Sequence, residues 1–478
     1  MHRVNVKFSF WKIIRKRNVT NLLFLRLIIE YYKIDNTRMK KLLLSLMFAG
    51  GLVFGQKIDF EEYTLPNGLH VILHQDNSAP VVTTGVMYHV GSKDEQVGKT
   101  GFAHFFEHLL FEGTHNIKRG EWFKIVSSHG GSNNANTTSD RTYYYETFPS
   151  NNLELGLWME SDRLFQPVIN QIGVDTQKEV VKEEKRSRLD NQPYGKFSYG
   201  EAVNPHVFKN HPYKWSVIGS FEDLSSASLE DFQHFSSTYY VPNNAVLVIA
   251  GDFQTPEAKK LVEKYFAKIP KGKDIVKSFP KEAEQTKEVR ATEYDSNIQI
   301  PLLAINYRTP GNGTKEAYAL DMLSNYLSGG KSSVLYKKYV DEKKEAFQIF
   351  AFNRGMEDYG IYTIGILPQG DVSFDYLENE VAKDIKAVQT DLISEEDYQK
   401  ILNGIENNFV SSKSGVQNIA HALADAYMLG KNTNLVNEEL DIYRSISRED
   451  IRNAAKKYLN PNQRIIINYL PESAKEAK

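Results

Sequence analysis

Two histidines and a glutamate crowd into five residues, HFFEH, from His104 to His108. On a helix of about 3.6 residues per turn, positions four apart stack on one face, and Glu107 falls on the same side. Two neutral imidazoles at that spacing can reach one tetrahedral zinc ion. A carboxylate beside them can take a proton from an activated water. A catalytic zinc site of this kind needs a third protein ligand and keeps its fourth position open. The 478-residue chain has no cysteine, so that ligand must offer nitrogen or oxygen. The same absence excludes disulfides and thiol catalysis.

A candidate third ligand lies downstream in DTQKEVVKEEKRSRLDNQPYG, residues 175–195. This stretch reads as a helix capped by Asp175 and ending before Pro193. It offers Glu179, Glu183 and Glu184. Gln177, Val180, Val181, Glu184 and Arg188 share one half-apolar stripe, while Glu179, Glu183 and Arg186 point to the charged side. Glu183 therefore reads as a solvated surface charge and Glu184 as the better ligand. For the first helix, Thr100 is the expected cap and Gly113 the expected stop.

These helices sit in an α+β rhythm. PNG (Pro66–Gly68) signals a turn, LHVILH alternates like a strand, and VVTTGVMYHVG follows as its hairpin partner, ahead of the histidine helix. An internal repeat is also visible. DFQHFSSTYYVPNNAVLVIAGDF (Asp231–Phe253) resembles DIRNAAKKYLNPNQRIIINYLPE (Asp450–Glu472), and Pro242 corresponds to Pro461 at an offset of 219 residues. The expected organisation is a zinc-binding catalytic domain over 57–270, a lysine-rich linker over 271–288 and a homologous non-catalytic domain over 289–472. Each domain is expected to be a β-sheet with helices packed on one face.

The chain is too long for one ordinary core. It is 41% hydrophobic and 25% charged, as in ordinary globular proteins. Its net charge of −2 gives no hint of nucleic-acid binding. MKKLLLSLMFAGGLVFGQ (Met39–Gln56) has the layout of a secretory signal peptide, expected over 39–55 with the cut near Gly55; a short membrane anchor is the alternative reading. Residues 1–38 are then either an extended basic leader or sequence upstream of a true start at Met39. A periplasmic or secreted location and no membrane span in the mature chain are expected.

HxxEH followed by a distant helical glutamate resembles the inverted-motif zinc peptidases of the pitrilysin/insulinase family, which includes insulin-degrading enzyme and the mitochondrial processing peptidase. The separation of 76 positions from His108 to Glu184 looks like the processing-peptidase branch. GFAHFFEHLLFEGT, GGSNNANTTSDRTYYYETFP, VVKEEKRSR, DNQPYG and HPYKWSVIGS match as well. The resemblance implies His104, His108 and Glu184 as ligands of one zinc per chain and Glu107 as general base. It implies that GGSNNANTTSDRTYYYE is a substrate-binding edge strand, with Asn134 and Ala135 contacting a peptide paired by strand addition. It also implies a chamber closed by two chains around short or unfolded peptides.

Two positions depart from the family pattern. Gln177 stands where relatives carry a second glutamate that supports the site, and an amide can still orient a ligand but brings no charge. Val340 and Phe347 stand where active members carry an Arg and a Tyr that stabilise the oxyanion, with Tyr336 and Tyr339 nearby. The expected function is a zinc-dependent endopeptidase. Its partner would be a homologous chain supplying the Arg/Tyr pair, or a second copy of itself in a homodimer. The rival reading is a catalytically silent structural subunit of a family complex.

Overall fold

The computed structural model describes residues 57–475; the expected signal peptide and the stretch before it lie outside them. Two sheets form the frame. The first contains β1 (Glu61–Thr64), β2 (His70–Gln75), β3 (Val81–Tyr88), β4 (Ser132–Thr137), β5 (Thr142–Pro149) and β6 (Ala245–Gly251), in the order β1-β2-β6-β3-β5-β4. The second contains β7 (Val289–Asp295), β8 (Leu302–Pro310), β9 (Ala346–Gly355), β10 (Tyr359–Pro368) and β11 (Ile465–Pro471), in the order β7-β11-β8-β10-β9. The helices of the frame include α1 (Phe102–Leu109), α2 (Gln171–Lys185), α3 (Leu229–Tyr239), α4 (Val416–Met428) and α5 (Arg448–Tyr458).

The hairpin expected between β2 and β3 does not form. β6 enters between them, parallel to β2 and antiparallel to β3. All seven residues of AVLVIAG in β6 are buried, so this strand belongs at the sheet centre, where both faces are covered. Sequence neighbours β2 and β3 are pushed apart by a strand that arrives some 170 residues later.

The repeat is visible in three dimensions. α3 and α5 each open with a capping box, Ser228 with Asp231 and Ser447 with Asp450. Each is followed by a 3-10 turn beginning at proline and by a strand, β6 or β11. β6 lies between a parallel and an antiparallel neighbour, and so does β11. By this correspondence β4 and β9 occupy matching sheet edges.

The fold is α+β, but its helices are not confined to one face. On the inner face of the first sheet, Val71, Val86 and Leu247 pack with Phe102 and Phe106 of α1, Val181 of α2 and Phe232 of α3. On its outer face, Met87, Tyr143 and Val248 pack with Ile419, Ala420 and Leu423 of α4, which belongs to the second half of the chain. The exchange is mutual. Val207, Phe208 and Tyr213 of the first half cover Ala304, Ile361 and Ile467 of the second sheet. Burying each such apolar side chain stabilises the fold by about 1.5–3 kcal/mol, so the halves are locked together. The described residues from Ile58 to Lys475 form one compact body.

Residues 270–286 have no regular secondary structure, yet they are pinned. Lys277 Nζ pairs with Asp94 at 2.8 Å. Glu282 Oε1 accepts the backbone N–H groups of Lys209, Asn210 and His211 at 2.9, 2.7 and 2.7 Å, and its Oε2 pairs with Arg308 at 3.1 Å. The polar linker acts as a strap across both halves.

Candidate metal centre and its cleft

α1 starts where the backbone forces it to. Gly101 has φ 89°, and a Cβ there would meet the Ile218 carbonyl oxygen at 2.6 Å. Thr100 does not cap the helix, because its N–H and hydroxyl both donate to Asp223. Glu95 does the capping. Its two side-chain oxygens accept the N–H groups of Gly101 and Ala103 at 2.8 and 2.9 Å, satisfying donors at the start of the helix, while burial raises the Glu95 carboxyl. The helix stops at Leu109, short of Gly113, whose φ of 134° serves the following turn. Phe102, Phe105, Phe106 and Leu109 are buried in the core, which fixes the helix rotation and holds His104 and His108 toward the cleft.

α2 begins at Gln171 with its cap at Asn170, five residues earlier than expected. Asn170 accepts the Gly173 N–H at 2.9 Å, while Asp175 accepts from Gln171. After Lys185 the chain continues as a π-helical turn, Arg186–Asp190. The stripe is narrower than expected: Val181 is buried, but Val180 is 43% exposed. Glu183 faces solvent and pairs with Arg186. Glu184 turns inward to the histidines.

His104 Nε2 and His108 Nε2 are 3.3 Å apart, and Glu184 Oε2 lies 3.5 and 3.0 Å from them. In a tetrahedron with metal–ligand bonds of about 2.0–2.1 Å, ligand atoms sit about 3.3–3.4 Å apart. The triangle therefore fits one face of a tetrahedral zinc site, with its remaining side open to the cleft. Among the described residues this is the one cluster of at least three His, Asp or Glu side chains so disposed. Burial, with the neighbouring His108, lowers His104 to about 4, so its ring is neutral and free to donate a lone pair. Burial raises the Glu184 carboxyl, but the hydrogen bond to His108 and the nearby His104, His108 and Arg188 outweigh it, bringing it to about 2. Arg188 Nη1 holds the other Glu184 oxygen at 3.0 Å.

Glu107 stands in the same cleft, a space of ≈ 550 Å³ that Asn133, Asn134, Ala135, Asn136 and Thr137 of β4 also line. Burial raises its carboxyl, against the Thr137 hydroxyl that donates to Oε2 at 2.7 Å. β4 pairs only with β5, so one side of its backbone is open. Asn134 Oδ1 accepts the Ala135 N–H at 2.9 Å, satisfying a donor that β5 does not take.

Gln177, expected to support the ligands, reaches elsewhere. Its Nε2 donates to Glu112 Oε1 at 2.6 Å. Seven residues of helix span about 10 Å, which places Gln177 beside the end of α1 and away from the triangle. Thr137, Arg188 and Tyr199 also line the cleft, and the sequence alone gives them no role. Thr137 belongs to the polar segment GGSNNANTTSDRTYYYE and Arg188 to the half-apolar stripe, but Tyr199 carries no local signal.

Two family models match the chain: "Insulinase (Peptidase family M16)" over residues 70–220 and "Peptidase M16 inactive domain" over residues 226–405. The chain is 29% identical to the zinc protease PqqE of Helicobacter pylori over 414 residues, 86% of this chain and 93% of that protein. It is 26% identical to the uncharacterized zinc protease YmxG of Bacillus subtilis over 305 residues, 64% of this chain and 72% of that one. A crystal structure of a protease from Helicobacter pylori superposes with a TM-score of 0.81 at 29% identity, over 87% of this chain and all of that one. Pitrilysin superposes with a TM-score of 0.70 at 18% identity over 88% of this chain and 46% of its own, a likeness of fold. Both halves of the chain are thus matched, in sequence and in fold, and the protein belongs to the insulinase (M16) family of peptidases.

Proposed function

We propose that this chain is a zinc-dependent endopeptidase that hydrolyses short or unfolded peptides. The observation that carries the reading is the His104–His108–Glu184 triangle, with Glu107 in the same cleft beside an open edge strand. His104, His108 and Glu184 would hold the metal. When bound, zinc supplies Lewis acidity toward the scissile carbonyl and the attacking water.

The chain's own residues do the rest. β4 pairs the peptide backbone, and Asn134 gives up the Ala135 N–H to a peptide carbonyl. Glu107 takes a proton from the attacking water and passes it to the leaving amine as the C–N bond breaks. Thr137 fixes one Glu107 oxygen and leaves the other free for this transfer.

The resemblance places Val340 and Phe347 where active members carry Arg and Tyr. Val340 packs against the second core, and Phe347 on β9 is 54% exposed. Neither side chain donates a hydrogen bond. Tyr339 is buried and its hydroxyl is taken by Asp384 at 2.5 Å. This supports a heterodimer in which a homologous chain supplies the missing donors. A homodimer is left with Tyr336 or another donor. Periplasmic or secreted placement belongs to the same proposal. Among the described residues no helix is long and apolar enough to cross a membrane.

The test is a peptide-cleavage assay on the purified chain, with and without a co-purifying homologue. Cleavage should be lost on chelation and return with zinc. Cleavage indifferent to chelation would remove the metallopeptidase reading.

A further inference from the structure

We propose that the second half of the chain presets the edge strand β4 for peptide pairing, with Arg141, His421 and Asp425 as positioning residues. The proposal rests on the peptidase reading of the cleft.

β4, SNNANT, is short and polar; Ala135 is its one buried residue, and only β5 pairs with it. Such a strand has little of its own to hold it in place. Its end toward Glu107 runs into the turn 138–141, and that turn is gripped from outside. Arg141, only 6% exposed, donates through Nη1 to the Asn136 carbonyl at 3.3 Å and to the Asn136 side-chain oxygen. Its Nε donates to Asp425 Oδ1 at 3.1 Å. Its Nη2 lies 2.9 Å from His421 Nε2, and that nitrogen lies 3.2 Å from Asp425 Oδ2, so the three side chains form one cluster. His421 and Asp425 stand one turn apart on α4, whose apolar face is packed on the outer side of the first sheet.

The neighbouring residue is held in the same way. Asp140 accepts the Tyr213 hydroxyl at 2.5 Å, pairs with Lys93 at 3.0 Å and accepts the Glu357 N–H at 3.1 Å. Glu357, like α4, comes from the second half. Charge-assisted bonds away from water are among the stronger polar contacts. Here they end on Asn136, next to Thr137, which holds Glu107. Ordering β4 in advance removes part of the entropy that peptide pairing would otherwise cost.

The experiment uses the whole zinc-loaded protein and the variants Asp425→Asn and His421→Gln, both on partly exposed side chains. Asn418→Ala, on the same helix but bonded only to Ser414, is the control. KM for a peptide should rise about tenfold in both variants, with kcat within about twofold, zinc content unchanged and the control like wild type. The same rise should appear in the peptide Kd measured in a Glu107→Gln background. Hydrogen exchange over 132–137 should speed up. Unchanged KM and unchanged exchange would overturn the proposal. So would a fall in kcat alone, which marks a smaller folded fraction. If the zinc-loaded wild type cleaves nothing even with its co-purifying homologue present, the peptidase reading fails, and the exchange rates still decide whether α4 holds β4.

Discussion

The hydroxyl of Thr137 lies 2.7 Å from Glu107 Oε2 and donates to it, tying the last residue of the edge strand to the carboxylate on the histidine helix. A hydrogen bond to a charged group is worth roughly 1.5–3 kcal/mol. Thr137→Val should therefore lower kcat about tenfold or more at unchanged zinc content, and Thr137→Ser should restore most of it. Steady-state kinetics with elemental analysis checks this. A Thr137→Val enzyme with native kcat would show that Glu107 needs no such support.

Glu107→Gln should keep its metal, because Glu107 is outside the ligand triangle. Turnover should fall by roughly a hundred- to ten-thousandfold, the span expected for a lost acid–base group. His108→Ala should lose metal instead. Near-native cleavage by Glu107→Gln would remove Glu107 from the chemistry.

Glu183 and Glu184 are adjacent but point apart: one pairs with Arg186 in solvent, the other with both histidines. Glu184→Gln should weaken zinc retention sharply and Glu183→Gln should do little. Metal content after dialysis is the measurement. The opposite ranking would contradict the assignment.

A pH effect on stability is expected at Asp321, which does not line the cleft. Burial raises the Asp321 carboxyl from 3.8 to about 6, despite hydrogen bonds from Asn353 and Tyr443. The unfolded chain therefore loses this proton first as pH rises. Asp321 should subtract stability between pH 3.8 and about 6 and nothing further above that. The shift corresponds to roughly 3 kcal/mol. Asp321→Asn should flatten that part of the stability curve, as read by urea unfolding across the window. A curve of unchanged slope would show that the carboxyl titrates normally.

Much of this protein is written in short-range patterns. The His104–His108 spacing, the stripe that separates Glu184 from Glu183 and the paired Ser–Asp capping boxes of α3 and α5 all act within one or two helical turns, where sequence neighbours are also neighbours in space. The two-sheet α+β frame rests on the same kind of pattern, because the repeat at 219 residues displays each half's helix, turn and strand in order. Other features depend on residues that only folding brings together. Glu95, not Thr100, caps α1, because Asp223 arrives from elsewhere to occupy Thr100. β6 separates β2 from β3, since a strand buried on both faces takes the centre whatever the chain order. Gln177 meets Glu112 because α2 packs beside the turn that follows α1. The grip of α4 on Arg141 joins residues 284 positions apart. Local periodicity records which face of an element is apolar. What covers that face, and which distant charge reaches a given turn, is decided by how the halves pack.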